Sequence, residues 1–426
     1  MRILLTTWGS RGDFHPFLSL ALELQKRGHQ VTLGANPYWQ EESQKAGIRF
    51  IPTESYVSPE VIFDYPEILS HQKMGLTALN LFVKQFFAPQ LDLSVELLLR
   101  EVENQDLLIA HHFVLAAPVV AQKTGIPFVT VTLAPGVIRS RYSAPAGAYH
   151  QPFKGVLGEW FNDFFWKLGE KWCQKTVRPT LDLFYQRQGL PPHPNYLFGT
   201  WSKQLVLQLY SEHFALNPSD YPPYFHQTGF CFKEERESFL QPDLESFLGA
   251  GEKPWLFTLG TVAIYEAGDF YQEAVSAVED TSERAVLLVG REENRPKNLP
   301  SNVIAILYAP HDKLMPHCKG VVHQCGVGGV GQSLRAGIPS VACPYAFDQP
   351  NNAMRLEGLG IAVVLQRNQR KGKDFRKAFE KLKEQDAFEK ARQIGFKVSA
   401  ENGVEKTCER IEEKMGPLIA SSRIRS

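Results

Sequence analysis

The sequence carries no net charge, no Cys-x-x-Cys spacing and no uninterrupted apolar run of 18 residues. The balance of 46 basic and 46 acidic residues argues against a nucleic-acid partner, which needs a basic surface. The missing apolar run argues against a membrane-spanning helix, and the segment before Gly9 is too short for a signal peptide. Because the six cysteines are scattered and a long chain needs no disulfides, we expect reduced core thiols and a cytoplasmic protein.

What is present is an alternation of apolar strands and amphipathic helices, in two series. Strands are predicted at residues 3–7, 30–33, 107–110 and 128–133, and again at 255–259, 285–289, 303–307, 320–322, 340–343 and 361–365. This alternation predicts an α/β fold with helix-covered parallel sheets, and the length suffices for two domains. We place the boundaries at 1–232, 233–403 and 404–426, with a polar linker beginning at Lys233 and charged helices from Lys373 onward.

A glycine-dense segment follows the predicted strand at 320–322. It contains His323, Gly326, Gly328, Gly329 and Gly331, followed by a helical stretch. A turn of this kind directs backbone N–H groups and the positive end of a helix dipole at one point, which suits a diphosphate. Asp348 and Gln349 lie just beyond the next strand, at the edge where open α/β sheets bind ligands. The segment predicts a phosphate site followed by groups that hold sugar hydroxyls; a glycine-rich turn without a ligand is the alternative.

A second candidate site follows the first predicted strand, in the loop 9–16, with a helix expected from Pro16 to Arg27. A dinucleotide site is not predicted here, because the glycines do not have the Gly-x-Gly-x-x-Gly spacing and Asp13 would repel a phosphate. The loop resembles instead the Gly-x-Arg-Gly-Asp-x-x-Pro opening of sterol and antibiotic glycosyltransferases. The segment from His323 to Pro339 likewise resembles, without a gap, the nucleotide-sugar signature of that family.

The resemblance implies the GT-B fold, in which two Rossmann-like doubly wound domains face each other across a cleft. It implies that the first domain binds the acceptor, that the second binds a nucleotide sugar, and that the last helix, near 404–418, returns to the first domain. The chain would then be a UDP-sugar-dependent hexosyltransferase.

The resemblance also assigns the donor site. Gly260 and Thr261 stand where family members contact the donor phosphate, with a turn and helix cap as the alternative. Tyr308 would stack on the base and the backbone of His311 would bond its edge, unless the tyrosine is merely buried under a loop. His323 would donate to a phosphate oxygen rather than serve the core. The predicted donor-binding residues are Gly12, Gly260, Thr261, Tyr308, His311, His323, Gly326, Gly328, Gly329, Asp348 and Gln349.

In the same family the aspartate of the opening loop is placed to take the proton of the acceptor hydroxyl, which implies that Asp13 is the catalytic base. An alkyl hydroxyl is too weak an acid to be ionised beforehand, so the carboxylate must accept the proton as the new C–O bond forms. His15 is the alternative base; otherwise it orients the loop. Arg11 either anchors the loop or holds donor phosphate.

Aromatic residues crowd the helical parts of the first domain, beyond what one buried stripe needs, which indicates an apolar ligand or a membrane interface. The predicted acceptor-lining residues are His111, Phe82, Phe86, Trp160 and Phe164. Adjacent histidines in a strand point to opposite faces, so His111 and His112 are not expected to share a metal.

The sequence has no Asp-x-Asp triplet, which metal-dependent glycosyltransferases use to hold a cation against the diphosphate, so neither a metal nor a cofactor is expected. The prediction is an inverting, metal-independent transferase that moves a sugar, first of all glucose from UDP-glucose, to a hydroxyl of an apolar sterol, lipid or polyphenol. A peripheral membrane contact through the first domain is a further expectation. The alternatives are a nucleotide-sugar epimerase and a catalytically silent nucleotide-sugar-binding or membrane-surface protein.

Overall fold

The computed structural model describes residues 1–56, 83–145, 148, 151, 153–196, 198–234, 239–261 and 263–425, without the side chains of 422–425. Its strands form two parallel sheets, one in each half of the chain. This confirms the predicted α/β architecture of two doubly wound domains.

The first sheet contains β1 (Arg2–Thr6), β2 (Gln30–Ala35), β3 (Arg49–Pro52), β4 (Leu107–His111), β5 (Phe128–Thr132), β6 (Leu205–Gln208) and β7 (Phe225–Gln227). Its strand order is β3-β2-β1-β4-β5-β6-β7. The chain therefore winds outward from β1 in one direction and from β4 in the other. A crevice opens between the carboxyl ends of these two strands, where ligands of such sheets bind.

The second sheet repeats this pattern with β8 (Trp255–Thr258), β9 (Ala285–Leu288), β10 (Val303–Ile306), β11 (Gly320–His323), β12 (Ser340–Ala342) and β13 (Ala362–Val364). Its order is β10-β9-β8-β11-β12-β13, so the winding reverses between β8 and β11. Both domains thus present a crevice at the carboxyl ends of two central strands.

Helices cover both faces of each sheet, which explains why the strands are apolar on both sides. In β1, Ile3, Leu4 and Leu5 are all fully buried. The helices are α1 (Arg11–Lys26), α2 (Gln40–Lys45), α3 (Leu91–Val102), α4 (Ala117–Thr124), α5 (Gly155–Thr176), α6 (Arg178–Arg187), α7 (Pro242–Gly249), α8 (Phe270–Val278), α9 (His311–Leu314), α10 (Val327–Arg335), α11 (Gln349–Gly358), α12 (Gly372–Glu384), α13 (Ala387–Ser399) and α14 (Gly403–Arg425). None of the described helices has the length and apolarity needed to cross a bilayer.

The last helix, α14, packs on the first domain although it follows the second. Its Cys408 and Met415 side chains are buried in the same core as Phe17 of α1. Glu412 accepts hydrogen bonds from Arg27 and His29, at 3.1 and 2.9 Å. The first domain is therefore completed by the end of the chain.

The structure corrects two boundaries that matter for function. The expected loop 9–16 is largely helical, because α1 begins at Arg11 and contains Pro16 in its second turn. The glycine segment is also mostly helix: only Gly326 precedes α10, and the glycines that follow lie inside it. The six cysteines are free and buried, as expected.

Candidate active site

The N-termini of two helices, one from each domain, meet between the sheets. α1 follows β1, and α10 follows β11, so each begins at the crevice of its own sheet. A Cβ built on Gly328 would lie 3.7 Å from the Cα of Gly12, which places the two predicted glycine sites in contact. Because both helices direct their positive ends at this place, it favours an anionic ligand.

Asp13 lies in the first turn of α1 and closes a capping box with Ser10. Its Oδ2 accepts from the backbone N and from the Oγ of Ser10, at 2.8 and 3.0 Å. These two contacts fix the carboxyl at the N-terminus of α1. Gly9 has a φ of +128°, and any side chain there would collide with this carboxyl.

The environment of Asp13 suits a proton acceptor. Burial raises the pKa of its carboxyl from 3.8 to about 7, although the hydrogen bonds from Ser10 oppose the shift. The negative charge of Asp348, in the second domain, raises this pKa further. The two carboxyl groups therefore act on each other across the cleft, and a base with a pKa near neutrality is the kind that catalysis uses.

Asp348 is the N-cap residue of α11, just beyond β12. Its Oδ2 accepts from Asn352 Nδ2 at 2.6 Å, and burial raises its pKa to about 6. The same amide nitrogen donates to the carbonyl oxygen of Cys325 at 3.0 Å, so buried Asn352 ties Asp348 to the glycine segment. Cys325 itself has a φ of +66°, which is uncommon for a residue other than glycine.

Gln349 forms hydrogen bonds with the loop that precedes it. Its Oε1 accepts from the backbone N–H groups of Tyr345 and Ala346, at 2.8 and 3.0 Å. The amide Nε2 is thus the atom left to donate to a ligand. Asp348 and Gln349 were predicted as a pair of sugar ligands; the structure brings both to the cleft edge and gives Gln349 a structural contact as well.

His323 ends β11 with a ring that is 1 % exposed. Its Nε2 lies 3.2 Å from Ser340 Oγ, whereas its buried Nδ1 has no partner among the described residues. A Cβ on Gly329 would lie 3.2 Å from this Nδ1, so the nitrogen faces the first turn of α10. Burial lowers the pKa of His323 to about 3, which keeps the ring neutral, and a serine hydroxyl donating to Nε2 would leave Nδ1–H as a donor.

Gln324 is a site residue that the sequence did not reveal. Its side-chain amide packs over Gly260, where a Cβ would collide with it, and lies 3.2 Å from the position of a Cβ on Gly326. Gln324 therefore lies between the turn after β8, which carries Gly260 and Thr261, and the start of α10. Sequence alone gave no signal, because an amide between a histidine and a cysteine has no distinctive spacing.

Tyr308 lies just after the carboxyl end of β10. It is 50 % exposed, which rules out the alternative that it is buried under a loop. The guanidinium of Arg11 lies 5.6 Å from the Tyr308 ring centroid, and this contact joins the two domains. His311 begins α9 nearby, and its charge contributes to lowering the pKa of His323.

Comparison with known proteins agrees with this geometry. Residues 3–143 match the Glycosyltransferase family 28 N-terminal domain, and residues 273–415 match the Erythromycin biosynthesis protein CIII-like, C-terminal domain. The O-mycaminosyltylonolide 6-deoxyallosyltransferase of Streptomyces fradiae is 32 % identical over 97 % of both chains. This chain belongs to the antibiotic and sterol glycosyltransferases.

Two further comparisons delimit the relationship. A sterol 3-beta-glucosyltransferase of Sclerotinia sclerotiorum is 26 % identical over 97 % of this glycosyltransferase, which spans only 29 % of that longer relative. The crystal structure of the glycotransferase of kitacinnamycin superposes with a TM-score of 0.74, at 21 % identity, covering 97 % of this chain and 99 % of the other. That likeness shows the GT-B fold.

In this glycosyltransferase His15 is turned away from Asp13, because residues two apart in a helix face different sides. Its Nε2 lies 3.0 Å from Glu42 Oε1, and Lys233, at the start of the second domain, contacts the same carboxylate. Burial lowers the pKa of His15, although Glu42 opposes the shift. This position suits the loop-orienting alternative, since the ring helps to tie the inter-domain segment to the first domain.

The first domain of the glycosyltransferase contains a narrow cleft of about 20 Å³ on the side predicted to bind the acceptor. It lies at the carboxyl ends of β1, β3 and β4 and beside the segment that precedes α3. Its lining is largely aromatic and aliphatic, with few polar groups: Thr7, Trp8, Thr53, Glu54, Phe86, Phe87, Gln90, Leu91, Ser94, Phe113, Val114, Leu115 and Ala116. Of the predicted acceptor-lining residues, the structure brings Phe86 here.

Glu54 is the second site residue that the sequence did not reveal. It is 8 % exposed, and its oxygens accept from Trp8 Nε1 at 2.9 Å and from Asn36 Nδ2 at 3.0 Å. Burial raises its pKa to about 7, against these two hydrogen bonds. Sequence offered no signal because Glu54 stands alone after a short strand that was not predicted.

His111 and His112 do not point to opposite faces as expected. Their ring centroids are 4.4 Å apart, because β4 ends at His111 and the chain turns there. His111 is buried beside Phe17 and Phe113, its ring nitrogens find no well-aligned partner among the described residues, and burial lowers its pKa well below 6.5. His111 thus lies behind the cleft wall, next to Phe113, rather than in the lining itself.

Trp160 and Phe164 are not among the residues that line this cleft. They are 71 % and 50 % exposed on the outer side of α5, so their contact with an acceptor stays a prediction. An aromatic pattern shows that a helix has an apolar face but not which object that face meets. Phe82, the remaining predicted lining residue, lies outside the described residues.

Proposed function

We propose that this glycosyltransferase moves glucose from UDP-glucose to a hydroxyl of an apolar acceptor, with inversion at the anomeric carbon and without a metal ion. The observation that carries the proposal is the position of Asp13. Its carboxyl has a pKa near 7 and lies at the helix N-terminus that contacts the donor segment of the other domain. A base placed there reaches an acceptor and a donor that meet between the domains.

In the proposed reaction the acceptor hydroxyl gives its proton to Asp13 while its oxygen forms a bond to the anomeric carbon. The bond between that carbon and the diphosphate breaks, and its electron pair leaves with UDP. Attack opposite the leaving group inverts the configuration. The capping contacts of Asp13 with Ser10 hold the carboxyl still, and positioning of this kind is what lowers the barrier.

The departing diphosphate would be stabilised by three groups that need no reorganisation. They are the free N–H groups at the start of α10, the dipole of that helix and the buried Nδ1 of His323. The amide of Gln324 adds a donor between Gly260 and Gly326. Asp348 would accept hydrogen bonds from sugar hydroxyls, and Tyr308 would stack on the uracil.

The acceptor class is proposed from the largely apolar and aromatic lining of the first-domain cleft, which suits the apolar body of a sterol, a lipid or a polyphenol. The sterol and antibiotic names of the relatives support an apolar, hydroxylated acceptor. The buried free thiols support a cytoplasmic location.

The test is a donor and acceptor panel. UDP-glucose, UDP-galactose and TDP-glucose are each incubated with the protein and with sterols, polyphenols or hydroxylated lipids, and nucleoside diphosphate release is measured. We expect release that depends on the acceptor, and a product heavier by one hexose in the mass spectrum. The proton coupling at the anomeric carbon then reports inversion.

The same panel separates the alternatives. Conversion of UDP-glucose to an isomer without an acceptor would indicate an epimerase. Saturable binding of UDP-glucose without release under any condition would indicate a silent nucleotide-sugar-binding protein. Either result would refute the proposed transfer.

A further inference from the structure

Helix α5 of the first domain leaves a row of large apolar side chains in solvent. The exposed fractions are 82 % for Val156, 57 % for Leu157, 71 % for Trp160, 50 % for Phe164 and 50 % for Leu168. Their spacing of one, three and four residues places them on one stripe of the helix. The Trp160 and Phe164 rings lie nearly parallel, with centroids 6.1 Å apart, so these two side chains form one continuous apolar surface.

The stripe continues into positive charge. Lys171 and Lys175 follow on the same side in the last turns of the helix, and neither forms an ion pair with a described residue. Two of the acids of α5, Asp163 and Glu170, are already paired with basic side chains, whereas Glu159 has no ion pair with a described residue. Asp163 pairs with Arg139 at 3.1 Å and with Lys167 at 2.6 Å, and Arg139 also pairs with Glu170 at 2.9 Å.

The opposite side of α5 supports the cleft. Trp166 Nε1 donates to the carbonyl of Ser143 at 2.8 Å, and the next residue, Ala144, accepts from Asn351 Nδ2 of α11 at 2.8 Å. α11 begins just after Asp348. The segment Ser143-Ala144 therefore connects α5 to the helix that carries the proposed sugar site. The exposed stripe is thus on the outer wall of the same structure.

We propose that this stripe, residues 156–168 followed by Lys171 and Lys175, docks on a lipid surface that contains anionic headgroups. Aromatic and leucine side chains that lie beside unpaired lysines on one helix face are the composition of an interfacial helix. A second copy of the chain packed on this face would bury lysines without an acidic partner. The inference deepens the proposed function and rests on it, because an apolar acceptor dissolved in a bilayer would be reached from this side.

The experiment is cosedimentation of the full chain with vesicles of phosphatidylcholine, alone or mixed with phosphatidylserine. The variant Leu157→Ser/Leu168→Ser removes apolar area from the stripe and should bind mixed vesicles about tenfold more weakly. The matched control, Leu216→Ser/Leu418→Ser, removes leucines that are 75 % and 44 % exposed elsewhere and should bind like the wild type. Lys171→Gln/Lys175→Gln should lose roughly fivefold per lysine, with phosphatidylserine only.

Absence of wild-type binding, or equal losses in both leucine variants, would overturn the proposal. So would concentration-dependent self-association of the wild type that the Leu157→Ser/Leu168→Ser change abolishes, because the stripe would then be a contact between copies. Turnover is measured separately with a water-soluble polyphenol and with a sterol in vesicles. The leucine variant should lose turnover only with the sterol; if no acceptor is glucosylated by any protein, the proposed function fails while the vesicle result still stands.

Discussion

The two sides of the cleft would recognise the proposed substrates by different means. On the donor side, the groups that would bind the nucleotide sugar are backbone N–H groups, a neutral histidine and an N-cap aspartate, most of them within residues 323–349. On the acceptor side, the cleft is assembled from side chains at the ends of β1, β3 and β4 and from the segment before α3, which are far apart in the sequence.

This difference follows from what each side has to bind. A diphosphate is the same in every nucleotide sugar, so one turn of backbone and one helix N-terminus can recognise it, and they occupy a short stretch of sequence. An acceptor is recognised by shape, which requires side chains from several loops. Asp13 stands between the two, since it is held by a local capping box and is influenced by Asp348 of the other domain.

The largest expected effect is on the base. Asp13→Asn keeps the size of the side chain and an oxygen for Ser10 but cannot take a proton, so glycosyl transfer should fall by about 10²–10⁴. UDP-glucose binding, measured by calorimetry, should barely change, because the proposed donor site lies in the second domain. His15→Gln is the control and should lose less, since its ring is turned to Glu42. A normal rate in Asp13→Asn together with an inactive His15→Gln variant would transfer the catalytic role to His15.

The raised pKa of Asp13 predicts how activity and stability depend on pH. As a base it is active when ionised, so kcat/KM should rise with pH through about 7 and then level off. Its folded pKa lies above the ordinary 3.8, so the protonated form is favoured by folding, and this contribution to stability is lost as pH rises through about 7. Asp13→Asn should therefore melt at a higher temperature than the wild type at pH 8, and this difference should shrink toward pH 4.

On the donor side the effect should be smaller. Asp348→Asn loses a charged hydrogen bond to a sugar hydroxyl, worth roughly 1.5–3 kcal/mol, so kcat/KM for UDP-glucose should fall about ten- to a hundredfold. Because the charge of Asp348 raises the pKa of Asp13, the acid limb of the pH profile should also move to lower pH in the variant. If the donor kinetics and the pH profile were both unchanged, Asp348 would neither bind the sugar nor influence the pKa of Asp13.

The strands of the second domain are easier to predict from the sequence than those of the first domain. All six strands of the second sheet were predicted, because each is a run of apolar residues buried on both faces. In the first sheet three strands were missed: β3 and β7 are edge strands whose residues are only partly buried, and β6 lies in a stretch rich in aromatic residues and proline. Short edge strands depend on their neighbours more than on their own composition.

The site follows the same division. His323, Asp348 and the glycines could be proposed from the sequence because they form one ordered motif, and the structure brings them close together. Glu54 and Gln324 could not, because their roles arise from packing between segments that the sequence does not connect. Trp160 as an acceptor residue stays a prediction for the same reason: periodicity identifies an apolar helix face, and it does not show what that face meets.

A prediction specific to the acceptor side concerns Glu54. Glu54→Gln leaves one oxygen for the two donors that now bind the carboxylate, Trp8 and Asn36, and should change the cleft polarity without touching the donor segment. We expect the acceptor KM to rise roughly two- to tenfold, as for the loss of one hydrogen bond, with the donor KM unaffected. The two KM values are measured by varying each substrate in turn. Equal changes in the acceptor KM and the donor KM would mean that Glu54 supports the whole fold rather than the acceptor cleft.

The smallest expected effect is that of a chelator, which should leave turnover unchanged. The diphosphate charge would be met by the N-terminus of α10 and by His323, and no group of three or more His, Cys, Asp or Glu in the described chain is arranged to hold a metal ion. Asp13 and Asp348 are the two carboxyl groups to test for a bound cation, because the charge of Asp348 reaches Asp13 across the cleft. EDTA is therefore tested on the wild type and on Asp348→Asn in parallel. Loss of activity in EDTA, restored by Mn²⁺ in the wild type but not in the variant, would contradict the metal-free mechanism. It would indicate instead that a cation bound by Asp348 neutralises the diphosphate.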